Sequence, residues 1–227
     1  GNVELLVTKE NTKFCWDNGI LYTADKTEIV YASQNITGAI ILPNSLTLIP
    51  RGAFQNCTGI IEVVVEGDRT SNLFVDTQAF VGCDNLTTVT FKGNGGASLD
   101  KGATTVGTSA FEGLAKLRNL VIEAGARVEI GHRAFAGNKN LANPVYNSAA
   151  SIPTIGVEAF AGCTALTNLE IPNTTESVGD GAYSGCTNLY QVSFAPNGKQ
   201  VEFGTNVFAG CSSLFKVTLS ASIREFD

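Results

Sequence analysis

Methionine is absent from the 227 residues, and histidine and tryptophan occur once each. That scarcity leaves few groups that titrate near neutrality or chelate metals. Basic charge is also short: 15 Lys and Arg against 21 Asp and Glu give a net charge of −6, the wrong sign for neutralising a phosphate backbone. Nucleic acid is therefore not an expected partner. Long apolar runs are missing too: stretches such as Ala39–Pro43 and Val63–Val65 are strand-sized, well short of the roughly 18 apolar residues of a transmembrane helix. The missing start Met and the opening Gly1-Asn2 suggest that the first residue lies downstream of something removed, a signal segment or an expression tag. What remains, 44% hydrophobic and 16% charged, suffices to bury a core.

One phrase, Ala-Phe-x-Gly-Cys, recurs along the chain: Ala53-Phe54, Ala79-Phe80, Ala110-Phe111, Ala134-Phe135, Ala159-Phe160, Ala182-Tyr183 and Val207-Phe208. Successive aromatics lie 26, 31, 24, 25, 23 and 25 residues apart, within or slightly beyond the period of leucine-rich repeats. Six residues after each aromatic an L-x-x-L-x-L pattern opens: Ile60, Val63, Val65; Leu86, Val89, Phe91; Leu117, Leu120, Ile122; Leu166, Leu169, Ile171; Leu189, Val192, Phe194; and Leu214, Val217, Leu219. Its last two apolar positions alternate with period two, as in a short strand with one buried face. After the strand, several coils pass through a Pro or Asn turn to a second apolar position and a Gly, as in Ile171-Pro172-Asn173 leading to Val178-Gly179. One coil has too little apolar surface to fold alone, so stability must come from stacked neighbours. The seven aromatics then form an interior column.

These phrases resemble the BspA-like branch of the leucine-rich-repeat proteins, found mostly on the surfaces of host-associated bacteria. The coil Ala159-Phe-Ala-Gly-Cys163-Thr-Ala-Leu-Thr-Asn-Leu-Glu-Ile-Pro172 carries the resemblance most clearly, and its variants run from about Gly38 to Asp227. The resemblance implies a leucine-rich-repeat solenoid of seven to eight coils over 38–227. This would be a right-handed superhelix with a parallel β-sheet on one face, mostly β and turns, with short helical or 3-10 segments at the aromatic phrases. Gly19-Ile-Leu-Tyr-Thr-Ala-Asp-Lys-Thr-Glu-Ile-Val-Tyr31 looks like the hairpin that often precedes the first coil, and two alternating runs around Ala24-Asp25-Lys26 agree. Residues 1–37 are expected to cap the stack.

The copies depart from one another in informative ways. Coil four has Asn138 in the Cys slot and Pro144 where a strand residue should donate a backbone hydrogen bond, so the ladder should break there. The longest step holds a Gly-rich insertion, Lys92–Lys101, expected as a surface loop. The chain stops mid-coil at Ile223-Arg-Glu-Phe-Asp227 without an evident polar cap, so either that tail folds over the edge or another domain follows.

Five of the six cysteines, Cys57, Cys83, Cys163, Cys186 and Cys211, share the slot three residues after the aromatic, with Leu114 and Asn138 as variants. Side chains at equivalent positions of stacked coils point in parallel, which is poor disulfide geometry, so buried free thiols are expected. Cys15, beside Trp16, is expected under the cap. Cysteine spacings of 23 residues or more provide no zinc pair, and no metal or other cofactor is expected. No catalytic group is assigned. His132 fills a variable turn position, and Gly102-Ala-Thr-Thr-Val-Gly107 has phosphate-loop glycine spacing but Thr108 in place of the required Lys. Glu62, Glu66, Glu123 and Glu170 would allow a glycosidase pair, yet a solvated acidic face explains them equally well. Four sequons, at Asn35, Asn56, Asn85 and Asn173, are no more than chance supplies. Asp17-Asn18-Gly19 is a hairpin turn by default rather than a calcium loop.

What the repeat offers is surface. The outward strand positions are Glu62, Val64, Glu66; Thr88, Thr90, Lys92; Asn119, Val121, Glu123; Asn168, Glu170; Gln191, Ser193; and Lys216, Thr218, Ser220. At about 4.8 Å per rung, this face runs roughly 34 Å, large enough for a protein. The resemblance implies a secreted or surface-displayed monomer that adheres to host extracellular-matrix, plasma or cell-surface proteins. A structural spacer within a larger surface protein is the alternative, because the face has few aromatic anchors, and a glycan-active enzyme is a remote third.

Overall fold

The computed structural model describes residues 7–8, 10–93, 102–147, 149–195 and 200–219. Most of the Gly-rich insertion, Ser220 and the Ile223–Asp227 tail lie outside them. The chain opens with a three-stranded antiparallel sheet, β1 (Phe14–Asp17), β2 (Ile20–Thr23) and β3 (Ile29–Ala32), in that order. The β2–β3 hairpin is the one the two alternating runs predict. Ile20, Tyr22 and Ile29 join the main hydrophobic core, while Cys15 is only half-buried.

Two parallel sheets flank that core. The first follows the L-x-x-L-x-L pattern: β4 (Gly38–Leu42), β6 (Ile60–Val65), β8 (Thr88–Phe91), β10 (Asn119–Ile122) and β12 (Val145–Tyr146) form one block. A second block holds β14 (Asn168–Ile171), β16 (Gln191–Phe194) and β18 (Lys216–Thr218). The other sheet joins seven short strands, β5 (Leu48–Ile49), β7 (Leu73–Val75), β9 (Thr104–Val106), β11 (Val128–Ile130), β13 (Thr154–Ile155), β15 (Ser177–Val178) and β17 (Glu202–Phe203). Each coil thus runs from a strand of the second sheet, through its aromatic phrase, to a strand of the first. The first sheet is the one the repeat pattern predicts, and the second stands beside it. The second apolar position of each coil buries its side chain from a strand of its own.

The aromatic column is interior. Phe54, Phe80, Phe111, Phe135, Phe160 and Tyr183 are fully buried, and Phe208 closes the column half-buried. Neighbouring centroids lie 4.6 to 5.8 Å apart with rings within 14° of parallel. Backbone bonds tie the column together: Phe135 N donates to Ala159 O at 2.9 Å, Phe160 N to Ala182 O at 2.8 Å, and so along the stack. Short helices are absent among the described residues, which corrects the expectation of helical or 3-10 segments at the aromatic phrases. The cause lies in two left-handed residues per phrase, as at Arg133 (φ 51) and Gly137 (φ 72) around Phe135. They leave no right-handed run long enough for a helical turn, and the recurring Gly of the phrase fills the second such position. A different glycine, four residues before the aromatic, marks close coil contact: a Cβ on Gly131 would stand 2.5 Å from Val106 O.

The ladder of the first sheet breaks after β12, as Pro144 predicts. Pro172 removes a second donor, because the equivalent residues Glu123 and Asn147 each donate to the preceding coil (2.9 and 3.0 Å). In place of ladder bonds, the Asn143 side chain clamps coil five: Oδ1 accepts Thr167 N at 2.9 Å and Nδ2 donates to Thr167 Oγ1 at 3.2 Å.

Candidate interaction face

Strand register sorts the outward residues into columns. Ala39, Glu62, Thr88 and Asn119 line up in one, and Ile41, Val64, Thr90, Val121 and Val145 in the next. Beyond the break the columns resume as Asn168, Gln191, Lys216 and as Glu170, Ser193, Thr218. Of the sixteen residues read from the sequence as the face, the fifteen that are described, all but Ser220, are exposed or half-buried. Ile41 (61% exposed) and Val145 (51%) belong to the face as well. They escape the aromatic-plus-six frame because β4 precedes the first aromatic and coil four carries Pro144.

The two blocks differ in chemistry. The second column of the first block is β-branched throughout, with Lys92 and Glu66 paired beside it at 3.0 Å. That hydrogen bond, with Glu123 nearby, holds the Lys92 ammonium above its ordinary range. The shorter block is polar on the same columns. At its edge, however, Tyr190 (50% exposed) and Phe215 (76%) stack with centroids 5.4 Å apart. This aromatic pair stands beside columns that hold no aromatic residue themselves. Its signal in the sequence is an aromatic directly after Leu189 and again directly after Leu214.

The break leaves a cleft of about 350 Å³ lined by Pro144, Tyr146, Asn147, Ala149, Ala150, Glu170, Pro172, Asn173 and Ala195. Burial raises the Tyr146 phenol above its ordinary pKa, so it is neutral at physiological pH.

The groups considered for chemistry are dispersed. His132 is exposed, and its Nδ1 donates to Val157 O at 3.1 Å. Thr104–Val106, inside the phosphate-loop-like stretch, is strand β9. Among the glycosidase candidates, Glu66 is engaged by Lys92, and Glu170 stands in the other block. Among the described residues no cluster of three or more His, Cys, Asp or Glu is placed to hold a metal ion, and no helix is long and apolar enough to cross a membrane.

The cysteine slot has a polar task that shape alone does not capture. All six cysteines are free. Cys83 Sγ donates to Phe54 O (3.0 Å), Cys163 to Phe135 O (3.1 Å), Cys186 to Phe160 O (3.3 Å) and Cys211 to Tyr183 O (3.2 Å), each time the carbonyl of the preceding ladder aromatic. Asn138 fits the slot because its amide does the same: Nδ2 donates to Phe111 O (2.8 Å) and Phe135 O (2.9 Å), while Oδ1 accepts Leu114 N (2.7 Å). On the side away from the face, Arg133 bridges Glu112 (2.6 Å) and Glu158 across three coils.

Stacked coils with an aromatic column and two parallel sheets define a leucine-rich-repeat solenoid. The sequence matches the BspA type Leucine rich repeat region in six copies over residues 27–125 and 104–227, and the chain belongs to that family. No curated protein matches it in sequence. Among solved structures it is similar to the pneumococcal vaccine antigen PcpA, with 15% identity and a TM-score of 0.58 over 83% of this chain and 44% of that one. It is also similar to the T. pallidum leucine-rich repeat protein TpLRR (18% identity, TM-score 0.48, 82% of each chain). A leucine-rich cell surface protein of Faecalibacterium prausnitzii aligns at 16% identity and TM-score 0.38, over 95% of this chain and 79% of that one. PcpA shares the fold, and this chain spans less than half of its length.

Proposed function

We propose that the chain is a non-catalytic protein-binding module, secreted or displayed at a cell surface. Residues 1–37 cap the stack, and 38–227 carry the binding surface as a monomer. Its partner is a host extracellular-matrix, plasma or cell-surface protein laid across the first sheet. The observation that carries this reading is the register-aligned column Ile41, Val64, Thr90, Val121, Val145, which lays β-branched side chains along the outer face, exposed at Ile41 and Val145 and half-buried between them. The stacked Tyr190 and Phe215 add an anchor of the kind that dominates interfaces. Family membership agrees with an extracellular setting.

The test is a screen of the chain against immobilised matrix and plasma proteins, followed by the triple variant Thr88→Arg, Asn119→Arg, Gln191→Arg on any hit. Stability should stay within about 1 kcal/mol, because these positions tolerate change. Binding should be abolished, because the partner would bury three guanidinium groups without matching acceptors. Unchanged affinity moves the site off the first sheet, and an empty screen favours a spacer.

A further inference from the structure

The break in the first sheet is more than a lost ladder. Ladder direction alternates along each strand, and the bonds from Glu123 and Asn147 to the preceding coil, with that from Ala195 to Ile171 O, fix its phase. By that phase the carbonyls of Pro144 and Tyr146 face coil five, and the main-chain groups of Asn168 and Glu170 face coil four. No backbone hydrogen bond joins β12 to β14 among the described residues. The second sheet meanwhile continues across the same two coils, Ile130 pairing with Ile155 and Gly156 N donating to Ile130 O at 2.7 Å. The coils therefore open as a wedge hinged on the far flank. The Asn143 side chain bonded to Thr167 spans the root of the opening, where an inserted strand would need a ladder spacing on each side. Its roughly 350 Å³ suits a side chain.

The lining selects which one. Pro144 and Pro172 supply flat apolar surface, Tyr146 closes the core side, Ala149, Ala150 and Ala195 leave room, and Glu170 supplies an exposed carboxylate with no basic side chain paired to it among the described residues. Two main-chain carbonyls without ladder donors and the Glu170 carboxylate are the cleft's acceptors, and the carboxylate is its one charged group. A planar, donor-rich cation matches both features: guanidinium stacks on flat walls and spreads five N–H groups over several acceptors, whereas an ammonium is a compact point charge. We infer that the cleft between coils four and five is an arginine-side-chain pocket, through which the partner's arginine is read at the middle of the sheet face. This deepens the proposed binding reading and rests on it for the partner, but the pocket itself is testable without one.

The probe is N-acetyl-arginine methylamide, followed by amide chemical shifts of the full chain, with the lysine and citrulline analogues as controls. Saturable shifts are expected at Tyr146, Glu170 and Asn173 with a dissociation constant on the order of 1 to 10 mM. The lysine analogue should bind about tenfold more weakly, and neutral citrulline should not saturate. Glu170→Gln, and separately Ala195→Leu, which fills the cleft, should each weaken arginine binding about tenfold or more with the rest of the spectrum unmoved. No saturable shift with the arginine analogue, or equal shifts with citrulline, overturns the pocket. The two readings fail separately. Probe binding that survives while a protein partner ignores the arginine triple variant sinks the face reading alone. A partner that needs the face but is indifferent to Glu170→Gln sinks the pocket's role alone.

Discussion

Coils four and five meet in two ways on the two flanks of the same solenoid. On the second sheet, Ile130, Ile155 and Val178 pass the ladder along without interruption. On the first, β12 stops and β14 begins a new block, with the Asn143 side chain holding Thr167 across the gap. The interior column runs through unbroken, Phe135 and Phe160 stacking at 5.6 Å. A stacked coil is therefore held at three places, and loss of one ladder is tolerated where the aromatic column and the other sheet persist. The energetic burden shifts to the interior, and the broken flank becomes the place where the surface departs from the repeat.

If the column carries the joint, truncating it there should have the largest effect. Phe160→Ala should cost about 3 to 5 kcal/mol, read by denaturant unfolding. A neutral result would place the load on the second sheet alone.

Asn138→Leu should cost less, about 1 to 3 kcal/mol, because it strands the Phe111 carbonyl and the Leu114 amide without their side-chain partner. Asn138→Cys should recover part of that by restoring the donor used in the neighbouring coils. Equal losses for Leu and Cys would show that the slot selects volume only.

The thiols offer a milder probe. Burial pushes Cys83 and Cys163 up to about 12 from an ordinary 9.0. Unfolded thiols ionise first, so the contribution is whole below about pH 9 and is lost as pH rises towards 12, by at most about 1.4 kcal/mol per pH unit for each thiol. Unfolding midpoints between pH 8 and 11 should fall accordingly. A thiol reagent should label the five slot cysteines only after denaturant, with Cys15 reacting earlier. Pre-denaturation labelling of Cys163, or a flat pH profile, would contradict the buried ladder.

The parts legible in the sequence are those a repeat enforces many times over. Seven aromatics at near-constant spacing announce the interior column, alternation announces the first sheet, and one proline in a strand position announces its break. The second sheet was less legible as a sheet because most of its strands bury only one or two side chains, too few to alternate. The missing helices follow from left-handed residues such as Gln78, Ser109 and Glu158, whose identities vary and carry no turn signal. Pro172 reads from the sequence as an ordinary turn residue. Its part in the seam is visible only once Glu123 and Asn147 show what its position does in other coils.

The contrast between the flanks is tested most directly by amide hydrogen exchange at Glu170 and Gly156, one on each side of the same coil. Gly156 N donates to Ile130 O at 2.7 Å, and its exchange should approach the global unfolding limit. Glu170, facing the seam without a ladder acceptor, should exchange faster by about a hundredfold or more. Equal protection at the two amides would mean that the first sheet runs on through coil four, and the cleft with everything built on it would be gone.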